Sequence, residues 1–201
     1  MNLGFLRELS YKTQTIVVAM EYPGYSFFRN AIRNKQAEPS SSMSASTELI
    51  KKHSLIVYDH LKNEIGFREE QIIVFGRSIG SGPASYVASQ NKPSALVLVS
   101  AFTTIKEVVN SMSFSLLGWL VADHYNNKES VAKSTCPLLL IHGKEDKVIP
   151  CSHSSKLDEA SITQGLRLHK LKEIPGMDHN NHTFDMNIWP HWKQFLSDQD
   201  Q

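Results

Sequence analysis

Three side chains, Ser78, Asp146 and His179, have the chemistry and the chain order for nucleophilic acyl transfer. A serine hydroxyl is a weak nucleophile until a base takes its proton. That base works best when an acid orients it and stabilises its charged form. Ser78 stands at the centre of Gly76-Arg77-Ser78-Ile79-Gly80. Ile72-Ile73-Val74-Phe75 run into this stretch, and small, helix-compatible residues from Ser81 onward lead out of it. The pattern predicts a strand, a sharp turn and a helix, with the serine at the apex. Such a turn strains the serine backbone, and glycines two residues either side keep side chains off the neighbouring strand and helix.

Each of the three also has an ordinary explanation. Gly-rich sequence makes tight turns, an Asp in a polar loop caps or turns the backbone, and most histidines pack or face solvent. What favours the triad is order and placement. Asp146 follows the apolar run Leu138–His142, and His179 lies in Pro175-Gly176-Met177-Asp178-His179-Asn180, just after a predicted last strand. All three then fall at carboxyl ends of strands, on one edge of a sheet. Glu145, Asp123 and His182 are weaker competitors, and Asp178 is expected to face solvent. Two rival readings of the glycine-rich turn fail. A dinucleotide site needs an acid about 20 residues on, where Val97–Phe102 offers none. A phosphate loop needs Gly-Lys-Ser/Thr, and no lysine follows the turn.

The elements that must position these residues read as five strands with intervening helices. Predicted strands cover Gln14–Met20, Ile72–Phe75, Ala95–Ser100, Leu138–His142 and Leu166–Ile174. The β-branched run at Gln14–Met20 has the composition of a buried parallel strand. Leu49, Ile50, His53, Ile56, Val57 and Leu61 mark a helical face within Ser44–Ile65, stopped by Gly66. Ser81–Gln90 is a second helix, and Pro190 opens a closing helix through Leu196. The alternation predicts an α/β fold with a mostly parallel, doubly wound sheet, in a single domain over residues 1–201.

Bulk composition narrows the function classes. The 201 residues are 41% hydrophobic and 20% charged with a net charge of +1, which points away from nucleic acid. The longest apolar stretch, Leu116–Ala122, is too short to span a bilayer. No signal peptide is visible at the start, so the expected location is cytoplasmic. Cys136 and Cys151 fit no metal-ligand pattern and read as packing thiols. No metal or cofactor is expected. The segment 102–135 follows a strand's carboxyl end and carries Met112–Val121. It reads either as a small lid over an acyl chain, with Phe114 and Trp119 facing substrate, or as a helix packed on the sheet. Tyr22 and Tyr25 are expected to line the same cleft.

Gly76-Arg77-Ser78-Ile79-Gly80-Ser81-Gly82-Pro83-Ala84 and the upstream Glu21-Tyr22-Pro23-Gly24-Tyr25 resemble the α/β-hydrolase superfamily. More narrowly, they resemble its branch of α/β-hydrolase-domain proteins that contains palmitoyl-protein depalmitoylases. His142-Gly143-x-x-Asp146 and Gly176-x-x-His179-Asn180 are similar to that branch's acid and histidine motifs. The resemblance implies a serine hydrolase acting on an acyl ester or acylated-protein thioester, without cofactor. The cysteine-rich amino-terminal tail that anchors depalmitoylases of that branch to membranes has no counterpart in this sequence, so membrane attachment is not carried over, and peripheral membrane contact is a separate expectation. Ser78 would be nucleophile, His179 base and then acid, Asp146 its orienting partner, and the Ile79 N–H an oxyanion donor. One departure is clear. In that family a strand ending in His-Gly-Asn precedes the first helix and supplies a second oxyanion donor. The one His-Gly pair here, His142-Gly143, belongs to the acid loop. The expectation is an α/β-hydrolase fold lacking its first strands, one of them lying between Gln14–Met20 and Ile72–Phe75. Such a chain is an incomplete gene model, or a natural degenerate protein. The alternative function is a non-catalytic α/β-hydrolase-like binding protein, or an inactive fragment.

Overall fold

Four short apolar runs pair in the computed structural model, which describes residues 3–23, 46–111, 125–162 and 168–199. They form one parallel sheet of β1 (Ile73–Arg77), β2 (Ala95–Val99), β3 (Leu138–Gly143) and β4 (His169–Ile174), in that spatial order. The register sets Val74 beside Leu96 and Leu98 beside Leu140. Every residue of β2 and β3 is buried. Their unbroken runs, Ala-Leu-Val-Leu-Val and Leu-Leu-Leu-Ile, reflect a sheet covered on both faces.

The alternation of side chains divides the core. Ala95, Val97, Val99, Leu139 and Ile141 meet Leu9 of helix α1 (Leu3–Thr13), Phe184 and Ile188 of a π-helical turn (Phe184–Ile188), and Trp192 and Phe195 of the closing helix. Leu96, Leu98, Leu138 and Leu140 meet helices on the other face. There they pack with Ala84 and Ala88 of one helix (Ser81–Gln90), Val131 of a second (Asn127–Lys133) and Leu157 of a third (Ser152–Ile162). This is the doubly wound arrangement expected of alternating strands and helices. In chain order the helices are α1, α2 (Thr47–Asn63), α3 (Ser81–Gln90), α4 (Ile105–Ser111), α5 (Asn127–Lys133), α6 (Ser152–Ile162) and α7 (Trp189–Gln199).

The chain divides into two compact units, Met1–Val17 with Glu69–Gln201, and Val18–Arg68. The sheet belongs to the first. In the second, α2 begins where the Ser46 hydroxyl accepts the Leu49 N–H at 3.2 Å. Ile50 and Tyr58 are its buried residues, and Ile56 of the predicted face is 53% exposed.

One expected element is not there. The structure ends α1 at Thr13 and replaces the predicted strand Gln14–Met20 with a turn at a left-handed Gln14 (φ 53°) and irregular backbone from Ile16 on. Ile16 and Val18, expected to be buried, are 77% and 53% exposed. Strand propensity describes how a residue fits a pleated, half-buried surface. Without a ladder partner among the described residues, the β-branched run has nothing to pair with. The last helix starts at Trp189, so Pro190 falls in its first turn, where a missing N–H costs little. It is preceded by the π-helical turn, capped by the Thr183 hydroxyl.

Candidate active site

Each site residue stands just beyond a strand's carboxyl end. β1 passes through Gly76, where an added Cβ would lie 2.6 Å from both Ala84 Cβ and Gly80 O. Only glycine lets strand and helix come so close. Ser78 follows at φ 52°, a left-handed conformation rare outside glycine that stores strain in the turn. Side chains from two helices support the turn. The Ser81 hydroxyl donates to the Ser78 carbonyl at 2.7 Å. The buried Asn127 amide donates in turn to Ser81 Oγ at 3.1 Å and to the Phe102 carbonyl at 2.9 Å. Ile79 lies next to Ser78 in a single 3-10 turn, its side chain 51% exposed.

Beyond β3, Asp146 is nearly wholly buried. Its Oδ1 accepts the Val148 and Ile149 N–H groups at 2.9 and 2.8 Å. The backbone turn that could have been the residue's whole purpose is therefore present, and it leaves Oδ2 free for another partner. Burial pushes this carboxyl up. The Ile149 N–H, His179 and the Val148 N–H more than offset that, holding it below the ordinary carboxylate range.

Beyond β4, Gly176 turns the chain at φ 76° and Met177 is fully buried. His179 then lies between the other two residues. Its Nδ1 is 2.7 Å from Asp146 Oδ2, and its Nε2 is 2.9 Å from Ser78 Oγ. An ionised carboxylate only accepts, so the proton sits on Nδ1 and Nε2 is free to accept from the serine hydroxyl. Arg77, the last residue of β1, donates from its guanidinium to the His179 carbonyl. The acid and histidine loops are also joined through their backbones, Lys144 N to Ile174 O at 3.0 Å and Glu145 N to Met177 O at 3.2 Å. An open pocket of about 570 Å³ adjoins His179, lined also by Lys147, Val148, Asn180 and Asn181.

The competing residues go elsewhere. Glu145 is exposed and accepts the Gly176 N–H at 2.7 Å. Asp178 accepts the Asn180 and Asn181 N–H groups. His182, a surface candidate in the sequence, is half-buried with Nδ1 unpaired, and burial, then the Arg77 charge, lowers its pKa. Tyr22 belongs to the second compact unit, half-buried, its phenol pushed up by burial. Tyr25, Phe114, Trp119 and Asp123 lie outside the described residues, as does the centre of the 102–135 lid segment, residues 112–124. Sequence reasoning missed His142 as a neighbour of the acid, at 3.4 Å from Asp146 Oδ2. The signal was one ionisable residue ending an otherwise apolar buried run.

A hydroxyl in line with a histidine and a buried carboxylate can be deprotonated as it attacks a carbonyl carbon. Among the described residues no cluster of His, Cys, Asp or Glu is placed to hold a metal ion, and no helix is long and apolar enough to cross a membrane.

A model of the phospholipase/carboxylesterase family matches residues 26–196. The chain is 30% identical over 142 residues to the lysophosphatidylserine lipase ABHD12 of Danio rerio, covering 61% of this chain and 37% of that protein. It is 30% identical over 180 residues to the α/β-hydrolase domain-containing protein aho-3 of Caenorhabditis elegans, covering 89% and 48%. The chain thus spans less than half the length of these curated relatives. Among solved structures, Est1E from Butyrivibrio proteoclasticus aligns at 18% identity and TM-score 0.59, over 77% of this chain and 71% of that one. A Mycobacterium tuberculosis puromycin-hydrolyzing peptidase aligns at 14% identity and TM-score 0.55, over 66% and 22%. These structural likenesses speak for the fold. The match of the family model across most of the sequence carries the assignment: the chain belongs to the phospholipase/carboxylesterase family of the α/β-hydrolase superfamily.

Proposed function

We propose that the protein is a serine hydrolase that cleaves an acyl ester or thioester through an acyl-enzyme on Ser78. The observation that carries this reading is the continuous hydrogen-bonded line from Ser78 through His179 to Asp146, ending on a strained serine. Ser78 Oγ attacks the substrate carbonyl carbon while His179 Nε2 takes its proton. The Ile79 N–H stabilises the oxyanion. The tetrahedral intermediate collapses and His179 returns the proton to the departing alcohol or thiol. Water then enters and attacks the acyl carbon as His179 takes its proton; the second tetrahedral intermediate collapses, His179 returns that proton to Ser78 Oγ, and the acid is released. Asp146 holds His179 in the productive tautomer and stabilises the imidazolium.

Two substrates suit this chemistry. The motif resemblance favours a palmitoyl-protein thioester. The family description and the lysophosphatidylserine lipase relatives favour a carboxylic ester of a lysophospholipid. Both present an acyl chain at a membrane surface, so the reading has a cytoplasmic protein in peripheral membrane contact. The test is labelling of the full chain by a fluorophosphonate probe, followed by competition between a palmitoylated peptide and lysophosphatidylserine. Ser78→Ala should abolish labelling. Asp146→Asn should slow it by about 10⁴, because the wrong histidine tautomer is favoured. A parent chain that the probe leaves unlabelled would sink the enzyme reading and leave the binding-protein alternative.

A further inference from the structure

His142 is an anomaly in β3. The strand reads Leu138-Leu139-Leu140-Ile141-His142-Gly143, wholly buried, and an imidazole there costs free energy unless both nitrogens are paired. They are. Nδ1 lies 2.6 Å from Ser154 Oγ on α6, and Nε2 lies 2.8 Å from the Ile149 carbonyl. A carbonyl only accepts, so the proton sits on Nε2 and the Ser154 hydroxyl donates to Nδ1. Burial holds the ring's pKa below the ordinary histidine value, so it is neutral around pH 7. Nε2 itself stands 3.4 Å from Asp146 Oδ2, the oxygen that His179 uses, while its proton goes to the Ile149 carbonyl. Ile149 is thereby held at both ends, its N–H on Asp146 Oδ1 and its carbonyl on His142.

We propose that His142 is a positioning residue for the acid of the triad: a neutral imidazole that ties the Asp146–Ile149 loop to β3 and α6 and sets the partial positive charge of its N–H group beside the carboxylate oxygen shared with His179. The proposal rests on the reading of Ser78, His179 and Asp146 as a triad. Its consequence is directional. An N–H dipole beside Oδ2 lowers the proton affinity of the coupled histidine–carboxylate pair. Without it the pair is more basic and takes up a proton at higher pH, and activity that needs the unprotonated base fails earlier on acidification. The groups around the pair are Arg77 beside Asp146, His153 beside His142, and Asp178 and His182 beside His179. All of these remain in the variants below.

The experiment is the rate of fluorophosphonate labelling from pH 5 to 9 in the full chain, for the parent, His142→Leu and His142→Gln. The leucine variant should label on the order of tenfold more slowly at pH 7, its acidic limb displaced upward by roughly half to one pH unit. Glutamine, whose amide nitrogen reaches about where imidazole Nε2 stands, should restore the limb and most of the rate. A slower leucine variant with an unmoved limb would reduce His142 to packing and overturn the proposal, as would failure of glutamine to rescue the limb. Should His142→Leu not fold, Ser154→Ala serves, since it frees the ring from its Nδ1 donor. It should move the limb the same way by less, and an unmoved limb overturns the proposal. A parent chain that never labels defeats the triad reading instead. The ¹³C carboxyl titration of Asp146 needs no turnover and then decides: an upward shift in the leucine or alanine variant supports the proposal, and an unchanged titration overturns it.

Discussion

Replacing Gly143 by alanine should separate Asp146 from His179 without touching either. Gly143 ends β3, and a Cβ there would stand 2.1 Å from Met177 O and 2.6 Å from Met177 C, both backbone atoms. Real Cβ contacts essentially never fall under 3.0 Å, so the two chains must part by about 0.9 Å. Met177 is fully buried and cannot swing aside, and the displacement passes to His179 two residues on. The His179–Asp146 and Ser78–His179 distances are 2.7 and 2.9 Å. Lengthening them by most of an ångström carries them to or beyond hydrogen-bond reach. Misplacement by 1 Å costs on the order of 10² in rate, and overpacking of a tight core about 1–3 kcal/mol in stability. Gly176→Ala is the comparison: its Cβ meets nothing within 4 Å, so only the φ of 76° is penalised, by about 1 kcal/mol. The assay is the fluorophosphonate labelling rate of the two folded variants, with thermal unfolding measured alongside. A Gly143→Ala protein labelling within threefold of the parent, or no more slowly than Gly176→Ala, would refute the claim that backbone contact at Met177 sets the Ser78–His179–Asp146 geometry.

Acid should weaken the fold before its carboxylates titrate. His142 and His153 are buried, and burial depresses both pKa values. Between the unfolded histidine value near 6.5 and the lower folded values, the unfolded state binds protons that the native state does not. Stability is therefore complete above about pH 7 and declines as pH falls, by up to about 1.4 kcal/mol per pH unit for each such histidine. A melting temperature unchanged or rising from pH 7.5 to 5.5 would contradict this. Asn127→Leu removes the buried donor to Ser81 Oγ and the Phe102 carbonyl and should cost roughly 1–3 kcal/mol in urea unfolding. It should also slow labelling, because Ser81 in turn holds the Ser78 carbonyl. An unchanged denaturation midpoint would show that the amide is not supporting the turn.

The sequence by itself determined the features that are local. Four apolar residues before Gly-x-Ser-x-Gly and small residues after it specify strand, turn and helix, and β1, the strained Ser78 and α3 follow in that order. Gapless apolar runs at Ala95–Val99 and Leu138–Ile141 specify strands covered on both sides, which is how β2 and β3 lie. These patterns are legible because the steric and burial demands act on neighbours in the chain.

What needed the tertiary structure was every matter of partnership. The run at Gln14–Met20 has the composition of a strand, yet a strand exists only with a second chain segment to bond to, and these residues lack one among those described. The same limit hid His142. Its neighbours in sequence say only that it is buried, whereas its partners, Ser154, Ile149 and Asp146, are assembled by packing α6 and the acid loop against β3. Asp146 could be named as a candidate from its place after a strand. That one carboxylate oxygen turns the backbone while the other reaches His179 was settled by the meeting of two loops at Gly143 and Met177. Spacing along a chain records local geometry. Distances of 2.7 and 2.9 Å between residues many turns apart are fixed only when buried surfaces lock the sheet and its loops into one register.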